Sequence, residues 1–320
     1  MQTVLVAGGA GFIGSHLCKS LLNDNYKVIC VDNFITSEKN NLEEFLRNPN
    51  FTFIEFDVIK SIQDLKLGLQ NLDYVFHLAS PASPNKKSAR SYINFPIETL
   101  LVNSVGTYNL LELARKYNSK FLYTSSSEIY GDPMMSPQKE DYFGNVNPNG
   151  VRSVYDEGKR FGEAITFSYV RKYNLDARII RIFNTYGPLM QVDDGRVVSN
   201  FINQAIKNES ITVYGKGTQT RSLCYVDDMV LGIKQAMFMQ NTKGEVFNLG
   251  NPDERSILDI AKLIKKLTNS KSEIIFEDLP EDDPKARKPE IAHAKEILKW
   301  EPKVKTEEGL RNTIEYFKNI

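Results

Sequence analysis

Tyr155 and Lys159 are the residues whose spacing most directly suggests chemistry. They lie four positions apart in segment 155–173, whose pattern predicts a helix, so their side chains share one face. An ammonium group beside a phenol favours the phenolate and lowers the pKa of the tyrosine, which makes it a usable general base. Because such a pair arises by chance on many helices, the prediction depends on its surroundings.

Three serines and an acid follow a strand predicted at 121–124, in the order Ser125, Ser126, Ser127 and Glu128. A serine hydroxyl at that strand end can share the proton of a substrate hydroxyl with Tyr155. We assign this role to Ser126, and its two serine neighbours remain open alternatives.

A glycine turn follows the first predicted strand and opens the first predicted helix. Gly8, Gly11 and Gly14 are spaced three apart, and residues without Cβ let backbone N–H groups and the positive helix end approach a pyrophosphate. Asp32 ends the second predicted strand, where a carboxylate accepts hydrogen bonds from ribose hydroxyls and repels a 2′-phosphate. Since no Arg or Lys directly follows Asp32, the pattern predicts NAD rather than NADP.

The predicted cofactor site extends beyond these glycines. Asp57 and Val58, after the third predicted strand, are placed to contact adenine, although a loop-capping role explains Asp57 equally well. Lys159 can also hydrogen-bond the nicotinamide ribose. The residues predicted to contact the cofactor are Gly8, Gly11, Phe12, Ile13, Gly14, Asp32, Asn33, Asp57, Val58, Tyr155 and Lys159.

Short apolar runs alternate with longer amphipathic segments in the first half of the chain. Strands are predicted at 4–6, 28–31, 51–56, 74–78, 121–124 and 178–182, and helices at 97–117 and 155–173. This alternation predicts an α/β fold: a doubly wound parallel Rossmann sheet with a second, smaller C-terminal α/β substrate domain. We place the cofactor domain at 1–183 and the substrate domain at 184–320, with a return to the first domain near 225–250.

Bulk composition argues against several classes of function. Lys and Arg together number 40, as do Asp and Glu, so no net charge attracts nucleic acid or a membrane surface. No apolar run reaches the length of a membrane span or a signal peptide. The three cysteines and three histidines are scattered, which predicts reduced thiols in the cytoplasm and no metal site.

The glycine turn with Tyr155 and Lys159 resembles the extended short-chain dehydrogenase/reductase superfamily, whose members oxidise sugar C4. Longer segments resemble, more narrowly, the UDP-glucuronate decarboxylases (UDP-xylose synthases), and the resemblance covers essentially the whole chain. These segments are HLASPASP at 77–84, SEIYGDP at 127–133, YDEGKR at 155–160, RIFNTYGP at 181–188, DGRVVSNF at 194–201 and RKP at 287–289.

The narrower resemblance implies a metal-free decarboxylation with a recycled NAD. Oxidation of C4 of a glucuronate makes a β-keto acid, which releases CO2 from C5 to leave UDP-xylose or its 4-keto intermediate. Tyr155 takes the C4 hydroxyl proton, Glu128 with Ser127 steers the carboxylate or manages protons, and Arg287 supplies charge or a proton near C5. Ser127 stands where related dehydratases carry the Asp that protonates a departing hydroxyl, and epimerases usually lack the Glu.

The resemblance also implies further contacts and an assembly. Leu78 and Ala79 belong to the cofactor site. The implied contacts to a nucleotide-sugar substrate are Ser80, Asn184, Arg196, Val197, Tyr214, Arg221 and Arg287. Two of these, Arg196 and Arg221, are also compatible with an ordinary surface role. Packing of the two predicted helices into a four-helix bundle implies a homodimer or a dimer of dimers.

Departures from the family leave the substrate open. Glu98 and Leu101 stand where the family carries lysines, and Leu189 stands where it carries an arginine. A segment after Pro84 is longer than usual and carries three basic residues, Lys86, Lys87 and Arg90. Either these replace the lost charge, or the enzyme only oxidises or inverts C4 of a neutral nucleotide sugar such as a GDP-heptose or hexose. We favour decarboxylation, because Glu128 and Arg287 act at the bond that breaks.

Overall fold

The computed structural model of the chain describes residues 1–279 and 286–320. Its strands are β1 (Thr3–Ala7), β2 (Lys27–Asp32), β3 (Phe51–Glu55), β4 (Tyr74–His77), β5 (Lys120–Ser126), β6 (Ala177–Ile182), β7 (Thr185–Tyr186), β8 (Ile211–Tyr214), β9 (Thr220–Ser222), β10 (Cys224–Tyr225), β11 (Val246–Leu249), β12 (Glu254–Ser256), β13 (Ile274–Glu277) and β14 (Ala286–Arg287). Its helices are α1 (Phe12–Asn23), α2 (Pro96–Leu101), α3 (Thr107–Tyr117), α4 (Ser153–Tyr173), α5 (Val197–Lys207), α6 (Val226–Phe238), α7 (Ile257–Thr268), α8 (Ala292–Leu298) and α9 (Thr306–Lys318).

The large sheet is parallel and has the strand order β11-β6-β5-β4-β1-β2-β3. The chain builds outward from β1 to β3 on one side and from β4 to β6 on the other. The carboxyl ends of β1 and β4 therefore form the crevice where such folds bind ligands. The predicted α/β fold with a parallel Rossmann sheet is confirmed, and the six predicted strands all lie in it.

Apolar layers cover both faces of this sheet. Alternate residues of β1 enter different cores: Val4 and Val6 pack with α1 and α6, whereas Leu5 and Ala7 pack with α3 and α4. Because both faces are covered, the central strands are continuous apolar runs. The sheet edge that carries the functional residues is thus held by a rigid two-sided core.

The predicted helix at 97–117 is interrupted. A π-helical turn, Val102–Gly106, separates α2 from α3. Asn103 in this turn points inward: its Nδ2 donates to the Ser80 hydroxyl at 2.9 Å, and its Oδ1 accepts from the Tyr123 hydroxyl at 2.9 Å. These long-range hydrogen bonds offset the disrupted helical ladder, so the interruption cannot be read from local periodicity.

The remainder of the chain forms smaller sheets beside the carboxyl edge of the large one. Strand β9 pairs with β12 and β14, β8 pairs with β13, and β7 pairs with β10. The chain also returns to the large sheet, where β11 pairs in parallel with β6. The short strands β9 and β14 hold arginines over the site described next.

Candidate active site

The turn after β1 has no room for side chains. Gly8 has φ +81°, and a Cβ there would lie 2.5 Å from the Ala79 nitrogen; a Cβ on Gly14 would lie 2.1 Å from the Gly8 oxygen. Helix α1 then begins without a side-chain cap and without an acid in its first turn. Its first N–H groups are therefore available to an anion, as a dinucleotide pyrophosphate requires.

Asp32 is fixed at the end of β2 by the backbone around it. Its carboxylate accepts hydrogen bonds from the Ala10 N–H at 3.0 Å, the Phe34 N–H at 2.9 Å and the Ser37 hydroxyl at 2.7 Å. Oδ1 accepts two of these bonds, whereas Oδ2 accepts only from Ala10 and retains lone-pair capacity for a ribose hydroxyl. The predicted cofactor residues that line the same cleft are Gly8, Gly11, Asp32, Asn33, Asp57, Val58, Leu78 and Ala79.

Phe12 and Ile13 form the start of α1, and Gly14 lies buried directly beneath the turn. These positions, with the cleft and the uncapped helix end, fit NAD. When NAD is bound, its nicotinamide accepts hydride, and its positive charge favours the ionised form of a neighbouring phenol.

Tyr155 and Lys159 lie in α4 against the end of β5. Tyr155 is 7% exposed, and its hydroxyl is hydrogen-bonded to that of Ser126. The Ser126 oxygen accepts from the Glu128 N–H at 3.2 Å, so its own proton remains available to Tyr155. The structure thus brings together the predicted base and the serine that we selected for proton sharing.

The expected lowering of the Tyr155 pKa by Lys159 is wrong for this structure. Burial raises the pKa of Tyr155 to about 12, although the Ser126 hydrogen bond and Arg196 oppose the rise. The Lys159 ammonium instead donates to the Thr124 carbonyl at 2.9 Å and stands 5.6 Å from the centre of the Tyr155 ring. Burial lowers the pKa of Lys159 to about 7, against the attraction of Glu163.

Glu128 stands in the short turn after β5, between two arginines. The Nη2 group of Arg152, at the start of α4, donates to Glu128 Oε2, and Nη2 of Arg287, in β14, lies 3.5 Å from the same oxygen. Burial favours the neutral acid, but Arg152 and Arg287 outweigh it and hold the pKa of Glu128 well below its usual range. Glu128 is therefore a carboxylate under all ordinary conditions.

Further arginines face the same place. Arg221 and Arg287 are direct neighbours across β9 and β14, so both side chains project to one side of that sheet. Arg221 acts electrostatically on Glu128, and Arg196 acts on Tyr155. The Arg287 side chain is 1% exposed, and its Nε and Nη1 groups lack a hydrogen-bond partner among the described residues. Buried donors of this kind suit an anionic ligand.

The other predicted substrate residues lie at the ends of several different elements. Ser80 follows β4 and accepts from Asn103. Asn184 follows β6, Val197 begins α5, and Tyr214 ends β8. Among the described residues, no hydrogen bond joins the Tyr214 side chain to the arginines. The assignment of Tyr214 to substrate binding therefore stays a prediction.

The long segment 83–95 contributes an aromatic ring rather than its cations. Lys86 and Lys87 are exposed, and Arg90 pairs with Glu38 at 2.8 Å. Tyr92, by contrast, is 1% exposed, and its ring stacks on that of Tyr155 at 4.9 Å with an interplanar angle of 8°. Positive charge near the site comes instead from the arginines around Glu128.

Sequence reasoning missed Arg152 and Tyr92. Arg152 precedes Tyr155 by three positions, about one helical turn, which was the only local signal. Tyr92 had none, because the loop that carries it is positioned by tertiary contacts.

Within the described ranges, the structure contains no group of three or more His, Cys, Asp or Glu side chains that could hold a metal ion. Of the helices described, none has the length and apolar character to cross a membrane.

Comparisons with known proteins agree with this geometry. UDP-glucuronic acid decarboxylase 1 of Xenopus tropicalis is 47% identical over 99% of this chain and 72% of its own length. UDP-glucuronic acid decarboxylase 5 of Arabidopsis thaliana is 49% identical over 96% of this chain and 86% of its own. The crystal structure of UDP-glucuronic acid 4-epimerase from Bacillus cereus, with UDP-glucuronic acid and NAD, is 30% identical and superposes with a TM-score of 0.87 over 99% of each chain.

A family model also matches most of the chain. Residues 4–250 match the model described as the NAD dependent epimerase/dehydratase family. The match spans the glycine turn and Asp32 at the cleft, together with Tyr155 and Lys159 in α4. The chain therefore belongs to the NAD dependent epimerase/dehydratase family.

Proposed function

We propose that this protein is an NAD-dependent UDP-glucuronate decarboxylase that forms UDP-xylose or its 4-keto intermediate. The observation that carries the proposal is the ion-pair cluster in which the Glu128 carboxylate lies between Arg152 and Arg287. Two relatives named as UDP-glucuronic acid decarboxylases, at 47% and 49% identity, support the same substrate.

The chain's own groups divide the work of the reaction. Tyr155, in contact with Ser126, takes the proton of the C4 hydroxyl. Lys159 would hold the ribose of a bound NAD, which would supply the hydride acceptor. Arg287 offers two unpartnered buried donors to the glucuronate carboxylate, while Glu128 with Ser127 sets the orientation of that carboxylate.

The C4 carbonyl makes decarboxylation possible without a metal. The C5–C6 bond breaks, CO2 leaves, and the electron pair passes into an enolate on C4. The nucleotide diphosphate is assigned to a set of residues around the smaller sheets: Asn184, Arg196, Val197, Tyr214 and Arg221, with Ser80 near the sugar.

A second candidate is a 4-epimerase or 4-dehydrogenase. Glu98, Leu101 and Leu189 favour it, because they remove basic residues that the resembled family carries. The Bacillus cereus neighbour is named as a 4-epimerase of UDP-glucuronic acid. This second candidate therefore includes epimerisation of the acidic sugar as well as of a neutral one. Glu128 and its arginines favour decarboxylation, since they compensate charge where a carboxylate would lie.

The assembly and the domain division belong to the same proposal. Exposed apolar side chains lie on α2, on the π turn and on α4, including Ile97 at 61% exposure and Phe161 at 48%. We assign this face to a four-helix dimer interface, with a dimer of dimers as the larger option.

We retain 1–183 and 184–320 as cofactor and substrate domains. We place the enzyme in the cytoplasm, where its three buried cysteines stay thiols.

The experiment is a substrate panel with the purified protein and NAD. UDP-glucuronate, UDP-glucose, dTDP-glucose and GDP-mannose are incubated separately, and products are identified by mass and by NMR of C4. The proposal expects UDP-glucuronate to lose the mass of one CO2 and the neutral sugars to stay unchanged. Inversion at C4 without loss of mass, on any sugar, would favour the epimerase, and net loss of two hydrogens would favour the dehydrogenase.

A further inference from the structure

Asp156 is a buried carboxyl group beside Tyr155 that the proposed function leaves without a role. It follows Tyr155 in α4 and lies one helical turn after Arg152, the residue that binds Glu128. Asp156 is 6% exposed, and its Oδ1 has no hydrogen-bond partner among the described residues. A carboxylate left in this way is costly, whereas a protonated carboxyl is a donor available to a ligand.

The proposed reaction needs a proton at C5, for which the family resemblance offers Arg287. The proton that Tyr155 takes from the C4 hydroxyl returns to the same oxygen when C4 takes back its hydride. Loss of CO2 leaves an enolate. A new C5–H bond must form before C4 can be reduced. One proton per turnover therefore comes from water by way of a group in the site.

Other nearby groups are poorly suited to deliver that proton. Glu128 is held ionised by Arg152 and Arg287. Arginine side chains are effectively always protonated and give up a proton reluctantly. Lys159 is directed at the Thr124 carbonyl, to which its ammonium donates at 2.9 Å.

On this basis we propose that Asp156 holds the proton that ends on C5. This inference rests on the proposed decarboxylation. The O–H bond of the Asp156 carboxyl breaks as the C4–C5 π pair of the enolate forms the C5–H bond, and a lone pair of the enolate oxygen re-forms the C4 carbonyl. The resulting carboxylate takes a proton from water before the next turnover.

The charges around Asp156 support a bound proton. The titratable groups that act electrostatically on it or respond to its charge are Glu128 from the turn after β5, Arg287 from β14, Tyr92 from segment 83–95, and Arg152, Tyr155 and Glu157 from its own helix. Burial and then repulsion from Glu128 raise the pKa of Asp156 to about 8, against the attraction of Arg152 and Arg287. The carboxyl keeps its proton at neutral pH and loses it as the pH rises through about 8.

The test is Asp156→Asn, because an amide preserves the shape and neutral charge of a protonated carboxyl but cannot give up the proton. Wild type, Asp156→Asn and the exposed control Asp64→Asn are mixed with UDP-glucuronate. CO2 release in a single turnover, bound NADH absorbance and steady-state UDP-xylose formation are measured from pH 6 to 9. Asp156→Ser repeats the series if Asp156→Asn does not fold.

We expect the variant to release CO2 in a single turnover within about threefold of wild type. Steady-state UDP-xylose formation should fall at least about tenfold, with bound NADH accumulating beside the unprotonated enolate, which is recovered as the 4-keto pentose after the reaction is quenched in water. The decline of the wild-type rate above pH 8 should be missing in the variant. The control should match wild type.

Three results would overturn the inference. Steady-state turnover and NADH levels equal to wild type would show that Asp156 gives no proton. Equal loss of CO2 release and of UDP-xylose would show that it only shapes the cluster. If wild type itself releases no CO2 from UDP-glucuronate, the proposed function fails, and the inference fails with it.

Discussion

Glu128 combines burial with a permanent negative charge, and its two arginines explain how. Removal of one partner from such a buried group leaves the others uncompensated, which typically costs about 3–5 kcal/mol. The negative charge of Glu128 also holds Arg287, whose Nη2 lies 3.5 Å from the Glu128 carboxylate. Two further donors of Arg287 have no partner among the described residues, and they can orient a substrate carboxylate. The site thus links the stability of the cluster to its chemistry.

This link predicts a pH dependence of stability. The folded-state pKa of Glu128 is depressed, so its contribution is present above the unfolded value of about 4.5 and is lost as the pH falls towards the folded value. We expect Glu128→Gln to lower the free energy of unfolding at pH 7. The difference from wild type should shrink as the pH falls below about 4.5.

Urea unfolding of both proteins at pH 7, 5 and 4 measures this difference. Glu307→Gln is a suitable control, since Glu307 is exposed and, among the described residues, its ion pair is with Arg311 one turn away in α9. A difference between wild type and Glu128→Gln that stays constant or grows on acidification would contradict the ionised state of Glu128.

Tyr155→Phe should separate proton transfer from binding. The substitution removes the hydroxyl that contacts Ser126 and keeps the ring that stacks on Tyr92. We expect kcat to fall by about 100-fold or more while KM stays within a few-fold, because only the proton-transfer role is lost. Steady-state kinetics on UDP-glucuronate decide the matter, and a kcat within a few-fold of wild type would refute the base assignment.

Local sequence predicted part of this chemistry and missed the rest for a physical reason. Tyr155, Lys159 and Glu128 stand in contiguous motifs, so their types and spacing were sufficient to select them. The clamp by Arg152 and the stacking of Tyr92 depend on where loops meet. The pKa of Tyr155 depends on burial and on the hydrogen bond of Lys159 to Thr124, neither of which spacing reveals.

At the scale of elements, the turn between β1 and α1 determines cofactor binding. Gly14→Ala would place a Cβ 2.1 Å from the Gly8 oxygen, which is part of the turn itself. We expect NAD affinity to fall at least about tenfold, because the N–H groups at the start of α1 move away from the pyrophosphate. Calorimetric titration with NAD measures this, and thermal unfolding without NAD reports any general loss of stability. Wild-type affinity in the variant would contradict the placement of the cofactor.

The elements differ in how far sequence determines them. The six predicted strands of the large sheet were found because burial on both faces makes them continuous apolar runs. The π turn at 102–106 was missed, since Asn103 is held there by Ser80 and Tyr123, which are distant in sequence. Strands β9 and β14 have three and two residues, too short for any periodic signal, yet they set Arg221 beside Arg287.

At the scale of the whole molecule, the exposed apolar face of α2 and α4 predicts a dimer. Phe161, on α4, is 48% exposed and borders a groove that includes Leu100. We expect wild type to sediment as a dimer or tetramer at micromolar concentration and Phe161→Glu to shift towards monomer, because two buried charges would meet across a symmetric interface. Phe276→Glu is the control, since Phe276 is 56% exposed on β13. A wild-type monomer would contradict the proposed assembly.

One bound NAD should serve oxidation at C4, loss of CO2 and reduction at C4 in a single site. The most direct measurement follows UDP-glucuronate labelled at the carboxyl carbon, with purified enzyme and no added NAD beyond one equivalent. We expect many equivalents of labelled CO2 per enzyme, an equal amount of UDP-xylose and little net NADH. Retention of the label in the nucleotide sugar, whatever happens to C4, would contradict the account.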